Sequence, residues 1–200
     1  WIGLENYQRM IDSTDMAIAV KKSVFYALFV VITRLIIALP LAVIMHNLTW
    51  GKNLYRFIYF LPLVTSVVAV GIIWRILYLP RLGLFNVILA GIRDFFGFGF
   101  PLPRYLLDPN TALISVGVMD IWRSLGFQIV ILLAGLGGIP NVYYEAAQID
   151  GAGRLQRFRH ITLPLLQPVI LFALVTSIAG AVQVFTEIFV IFQGSSTSSG

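Results

Sequence analysis

The sequence predicts an all-α, polytopic helical membrane protein. Three observations carry that prediction: 58% of the 200 residues are hydrophobic and only 12% charged, four segments are long and apolar, and the fourteen Lys and Arg are scattered at segment ends and in short connections. Soluble domains carry about a quarter charged residues, and with a mean hydropathy of +0.88 this chain belongs in a bilayer. The formal net charge of +5 forms no basic stripe, which argues against nucleic acid as a partner. No cysteine is present, so there is neither a disulfide framework nor a cysteine-based metal site. Trp1 in place of an initiating Met and the polar run 194–200 lead to the expectation that residues 1–200 form a single transmembrane domain, truncated at both ends.

Residues 1–22 mix both charge signs (Glu5, Arg9, Asp12, Asp15, Lys21, Lys22) and read as a polar or interfacial helix leading into the first span. Spans are expected at about 23–46, 54–79, 111–136 and 164–192. A hydrocarbon core of roughly 30 Å needs about 20 helical residues, and backbone groups in lipid must be satisfied within the segment. Pro40 and Pro62 fall inside spans and are expected to kink them, whereas Pro164 suits a helix start. Between the second and third spans, the apolar piece Leu84 to Ile92 is too short to cross and is expected at the interface. Trp50, Tyr55, Tyr59, Trp74 and Tyr78 lie near the ends of the second span and read as anchors at headgroup level.

The connection 137–163 has its own logic. Pro140-Asn141 opens a short helix over Val142 to Asp150, and Gly151-Ala-Gly153 turns the chain out of it. Ala146 and Ala147 allow another surface to approach closely, Glu145 offers a carboxylate to a basic partner, and Gly151 permits backbone angles that a larger residue resists. Beyond it, Leu155, Phe158 and Ile161 recur beside Arg154 and Arg157 as a basic amphipathic segment suited to anionic headgroups.

Ionisable groups inside spans are costly, about 2.5 to 3.5 kcal/mol each on insertion scales, so each needs a partner or water. Asp120 and Arg123, three apart in the third span, read either as a structural ion pair or as the border of a polar translocation path with Gln128. Arg34, with no acid nearby in sequence, is expected to seek one, or carbonyls, on another helix. Gln183 and Glu187 form a further candidate pair along such a path, with snorkelling of Glu187 as the alternative. Catalytic and metal readings find no residues: His46 and His160 are the only histidines, no His-Glu-x-x-His occurs, no Gly-x-Ser-x-Gly elbow occurs, and Gly51-Lys52-Asn53 is not a phosphate loop.

Glu145, Ala146, Ala147, Gly151, Ile161, Leu163 and Pro164 together match the cytoplasmic loop of bacterial ATP-binding-cassette importer permeases. Trp1 to Tyr7, Leu61-Pro62, Trp74-Arg75, Leu82 to Asn86 and Glu145 to Pro168 narrow the likeness, and over nearly its whole length the chain resembles the maltose-type carbohydrate-uptake permeases. The resemblance implies a multi-pass protein of the bacterial inner membrane, with the 137–163 loop in the cytoplasm and Glu145, Ala146, Ala147 and Gly151 on a coupling helix that docks in an ATPase subunit. It also implies a second permease subunit, two ATP-binding subunits that carry ATP and magnesium, an extracytoplasmic solute-binding protein, and a sugar or a polyol phosphate ester as cargo. On that reading the chain itself is no enzyme and holds no cofactor. The rival expectation is an ATP-independent channel or ion-coupled carrier, in which Asp120, Arg123, Arg34 and Glu187 form an ion relay.

Overall fold

A computed structural model describes residues 3–48, 51–183, 188 and 191. Among these the regular structure is helical and contains no strand. Helix α1 (Glu5–Asp12) is followed by α2 (Thr14–Asn47), α3 (Lys52–Val64), α4 (Val67–Leu77), α5 (Leu84–Phe96), α6 (Pro109–Gly137), α7 (Asn141–Ile149), α8 (Arg154–Arg157), a π turn (Phe158–Thr162) and α9 (Leu163–Val182). Three stretches are long and apolar enough to cross a membrane: Thr14–Asn47, Thr111–Gly137 and Arg154–Val182.

The leading polar helix divides at Ser13, whose Oγ accepts the Met16 N–H at 3.2 Å and so caps α2. Residues 14–22 therefore continue into the first span as one helix, and Pro40 sits within it without ending it. The second expected span is not a single kinked helix. Its two halves, Phe57–Val64 and Val67–Leu77, meet at 103°. Pro62 supplies no N–H to the last turn of α3, and Thr65 Oγ1 donates to the Pro62 carbonyl at 2.6 Å, closing the helix before α4 begins. Of the last expected span, α9 accounts for the residues up to Val182.

The π turn has a local cause. Pro164 has no N–H to return to the His160 carbonyl, and the ladder widens so that the Leu163 N–H reaches the Phe158 carbonyl. Residues Arg154–Val182 thus run as one helical path from the polar loop into the membrane.

The core lies along α6, which packs between α2, α3 and α9. Ala38 and Ala42 of α2 and Leu166 of α9 meet Ile129, Leu132 and Leu136 of α6, all buried. Lipid is as apolar as these side chains, so close van der Waals packing around small residues, not water exclusion, holds such a seam. Gly126 lies so close to α3 that a Cβ there would collide with the Tyr59 carbonyl oxygen. Gly135, two and a half turns on and hence on the opposite side of α6, admits Leu166 and Val169 of α9. The outward faces, among them Ile36 and Ile44 of α2 and Leu171, Phe172 and Val175 of α9, are exposed and apolar, as lipid or neighbouring helices require.

Trp74 and Tyr78 correct the anchor reading. Both are buried, at 8% and 4% exposure, in an aromatic cluster with Phe85 and Tyr105. Trp74 also packs on Trp122 at 5.5 Å between ring centroids, and the Tyr78 hydroxyl donates to the Ser115 carbonyl at 2.9 Å. Each ring thus spends its polar handle or its face on α6 instead of on headgroups. Tyr55 remains exposed, and Trp50 lies outside the described residues. Helix α5, at 13 residues, is too short to span, and buried Asn86 ties it down by donating to the Pro80 and Pro103 carbonyls, each at 3.0 Å.

Candidate functional site

Two constructions stand out: an exposed loop at one end of the spans and a polar network inside them. The loop helix α7 starts after Pro140, whose fixed φ leads the chain into the first turn, and stops where Gly151 takes φ +75. The Ala152 N–H reaches back to the Ala147 carbonyl at 2.8 Å, closing the helix end through that left-handed residue. Nothing on α7 is buried. Glu145 and Ala146 are exposed and Ala147 half-buried, while Val142 and Ile149 present apolar side chains at 62% and 88% exposure. A helix with a free carboxylate, two small residues and an apolar tip is a surface built to be covered.

Among the described residues a polar contact ties the loop to the spans. Tyr144 Oη and Thr162 Oγ1 share a hydrogen bond at 3.0 Å, joining the inner side of α7 to the π turn at the root of α9. The Gly153 N–H donates to Gln156 Oε1 at 2.8 Å, fixing the start of α8. A hollow of about 410 Å³ separates the end of α7 from α8 and the π turn, with Ala147, Gly151, Gln156 and His160 on its walls.

The intramembrane network centres on Asp120. Its Oδ2 accepts from Arg34 Nη2 at 3.1 Å and from the Tyr26 hydroxyl at 3.2 Å, and its Oδ1 accepts from Ser124 Oγ at 3.1 Å. Arg123 Nη2 stands 3.9 Å from Oδ1. Of the two kinds of partner expected for it on another helix, an acid or carbonyls, Arg34 finds an acid, and it makes the shorter ion pair with Asp120. The three-residue spacing brings Arg123 near but second. Both members of the Arg34–Asp120 pair are buried, and a carboxylate holding one guanidinium and two hydroxyls is well satisfied for such a place.

The other polar positions separate. Gln128, two turns along α6 from Asp120, is buried and accepts a hydrogen bond from Ser177 of α9 at 2.8 Å. Gln183 ends α9 and is exposed. Glu187 lies outside the described residues. Sequence reasoning did not single out Tyr26, Ser124 or Ser177. A hydroxyl in an apolar run is the only local sign of such a role, and α6 and α9 carry several others.

The sequence profile of the binding-protein-dependent transport system inner membrane component matches residues 16–199. The chain is similar to the probable ABC transporter permease protein YesP of Bacillus subtilis, 38% identical over 196 residues that cover 97% of this chain and 61% of that protein. It is also similar to the trehalose/maltose transport system permease protein MalF of Thermococcus litoralis, 32% identical over 97% of this chain and 64% of that protein. The arabinooligosaccharides transport system permease protein AraP of Bacillus subtilis is 32% identical over 98% of this chain and 61% of its own length. The crystal structure of a bacterial ABC transporter that imports the acidic polysaccharide alginate superposes with a TM-score of 0.82 at 25% identity, over 96% of this chain and 65% of that one. The chain spans about three fifths of the length of these curated relatives. With its core helices, its loop and nearly its whole length inside the match, the chain belongs to the binding-protein-dependent transport system inner membrane component family.

Proposed function

We propose that the chain forms half of the membrane path of an ATP-driven, binding-protein-dependent importer of carbohydrates or sugar-like polyol phosphates, and that α7 is the helix through which separate ATPase subunits drive it. The carrying observation is the geometry of α7: an exposed helix with Glu145 on its surface, Gly151 at positive φ behind it, and the Tyr144–Thr162 bond tying it to the root of α9. The relatives named for trehalose, maltose and arabinooligosaccharides support the carbohydrate class. ATP and magnesium belong to the partner subunits. A second permease subunit supplies the other half of the path, and an external solute-binding protein delivers the cargo.

In this reading Asp120 and Gln128 hold α6 to α2 and α9, while the half-buried Arg123 and the exposed Gln183 line a path between two permease subunits. Glu187 joins them as a proposed lining residue.

The test uses the complete transporter in vesicles, with Glu145→Lys and Gly151→Val set against the parent. A reversed charge turns an attraction into a repulsion, and a β-branched residue at φ +75 strains the turn. Uptake should fail in both, with ATPase either lost from the purified complex or hydrolysing without response to substrate. Normal uptake and normal substrate-stimulated hydrolysis in both variants would remove the docking assignment.

A further inference from the structure

We infer that the chain carries a phosphate-binding site at one membrane face, in a hollow of about 550 Å³ between the end of α2, the end of α6, the start of α7 and the α8–π segment. Its polar wall comes from His46, Asn47, Asn141, Tyr144, Arg154 and Arg157, and its apolar wall from Val43, Leu136 and Phe158. No carboxylate lines it, and among the described residues neither Arg154 nor Arg157 forms an ion pair with one. The Arg157 Nε is buried without a hydrogen-bond partner, a donor that the fold itself leaves unmet.

The charge arrangement selects an anion. Arg154 and Arg157 of α8 both line the hollow, and α7, which has no side-chain cap, begins at Asn141 on the same wall, adding the positive end of its dipole. Guanidinium forks suit phosphate oxygens in particular. The volume lies within the range of about 300–1,000 Å³ that holds small ligands, larger than a bare phosphate needs. On the α2 wall Val43 lies one turn deeper than Asn47, so that wall passes from polar at the membrane surface to apolar within, while on the facing wall the Thr162 hydroxyl is already bonded to Tyr144. The α2 wall fits the phosphate of an anionic lipid with the first carbons of its chains below it. The exposed docking features of α7, Glu145 and Ile149, are not on this wall, so the site does not rest on the ATPase contact.

The experiment uses the full-length permease, delipidated in a neutral detergent, with bound lipid counted by native mass spectrometry. Phosphatidylglycerol should bind about thirtyfold more tightly than phosphatidylcholine, two basic contacts contributing about five- to sixfold each. Arg154→Gln with Arg157→Gln should erase that preference. Asn141→Asp, which favours the helix N-terminus yet repels an anion, should weaken phosphatidylglycerol severalfold with α7 intact. Arg93→Gln, on α5, should change nothing.

Inorganic phosphate separates the sources. Displacement of phosphatidylglycerol by millimolar phosphate, with phosphate bound in the absence of lipid, assigns the site to a soluble phosphate group; phosphatidylglycerol retained under those conditions assigns it to the headgroup. Equal affinity for the two lipids with no phosphate bound would overturn the inference. So would parent-like phosphatidylglycerol binding in both the double-arginine variant and Asn141→Asp.

Discussion

Removing either member of the buried Arg34–Asp120 pair should destabilise the permease unequally, and the inequality follows from where the third charge lies. At 3.1 Å the Arg34–Asp120 attraction is roughly 5 kcal/mol at an effective dielectric constant of about 20, and at 3.9 Å the Arg123 contact is roughly 4 kcal/mol. Desolvation offsets much of each figure, so the measurable quantity is the cost of a charge left without its partner, about 3–5 kcal/mol. Arg34→Met leaves Asp120 with Arg123, Ser124 and Tyr26, and should cost the lower end of that range. Asp120→Leu leaves two guanidiniums facing each other across an apolar residue, and should cost the upper end or more. The double variant Arg34→Met with Asp120→Leu should cost less than the sum of the singles by more than about 1 kcal/mol. Thermal unfolding of the full-length permease in detergent, with folded yield as a second readout, measures all three. Additivity within about 0.5 kcal/mol, or an Arg34→Met loss larger than that of Asp120→Leu, would refute the reasoning.

Gly126→Val should lower folded yield sharply, at a cost of about 3 kcal/mol or more from overpacking, because even a Cβ meets the Tyr59 carbonyl; Gly91→Ala on α5, where a Cβ meets nothing within 4 Å, should be neutral or stabilising by about 0.5–1 kcal/mol. Asn86→Leu removes two hydrogen bonds to the Pro80 and Pro103 carbonyls, about 1–3 kcal/mol each where the carbonyl stays dry. Limited proteolysis of that variant should show earlier cleavage within 97–104. With no native cysteine, Gln156→Cys should resist an impermeant thiol reagent in cells with an opened outer barrier and Leu107→Cys should react, both positions being exposed; the reverse pattern would invert the topology.

What could be read from sequence was whatever is punctuated locally. Pro140 before α7 and Gly151 after it are signals that act within one turn, and the helix lies between them. The break at Thr65–Ser66 was harder to read because Pro62 announces a disturbance but not its size; a hydroxyl that returns to the Pro62 carbonyl turns a kink into an end. Asp120 shows the same division. Its neighbour three residues on is visible in the chain, whereas the partner with the shorter contact stands on a helix 86 residues earlier, and only packing brings it there. Trp74 and Tyr78 misled for a related reason, since an aromatic near a span end suits both a headgroup and a neighbouring helix, and the choice depends on what lies beside it.

The buried polar contacts divide the molecule mechanically. Asp120 fastens α6 to α2 through Arg34 and Tyr26, Gln128 fastens α6 to α9 through Ser177, and the Tyr78 hydroxyl fastens the end of α4 to α6 through Ser115. Each is directional, and sliding one helix along another by a single turn, about 5.4 Å, breaks it. These helices are therefore expected to shift together as a body. The loop helix α7 is joined to that body through Tyr144 and Thr162, and Thr162 closes the π turn, where the widened ladder is a weaker segment of helix than the α-helical turns beside it. If α7 is the docking helix, force applied at Glu145 reaches the body through this hydroxyl pair, the packing of the Tyr144 ring on the core, and the backbone on either side of α7. A rigid joint would move α9 with α7, whereas a yielding π turn would let α7 swivel without moving the spans. Tyr144→Phe separates the two: it keeps the ring and removes the hydroxyl, so ATPase binding persists in both cases and uptake falls only if the hydroxyl pair transmits the motion.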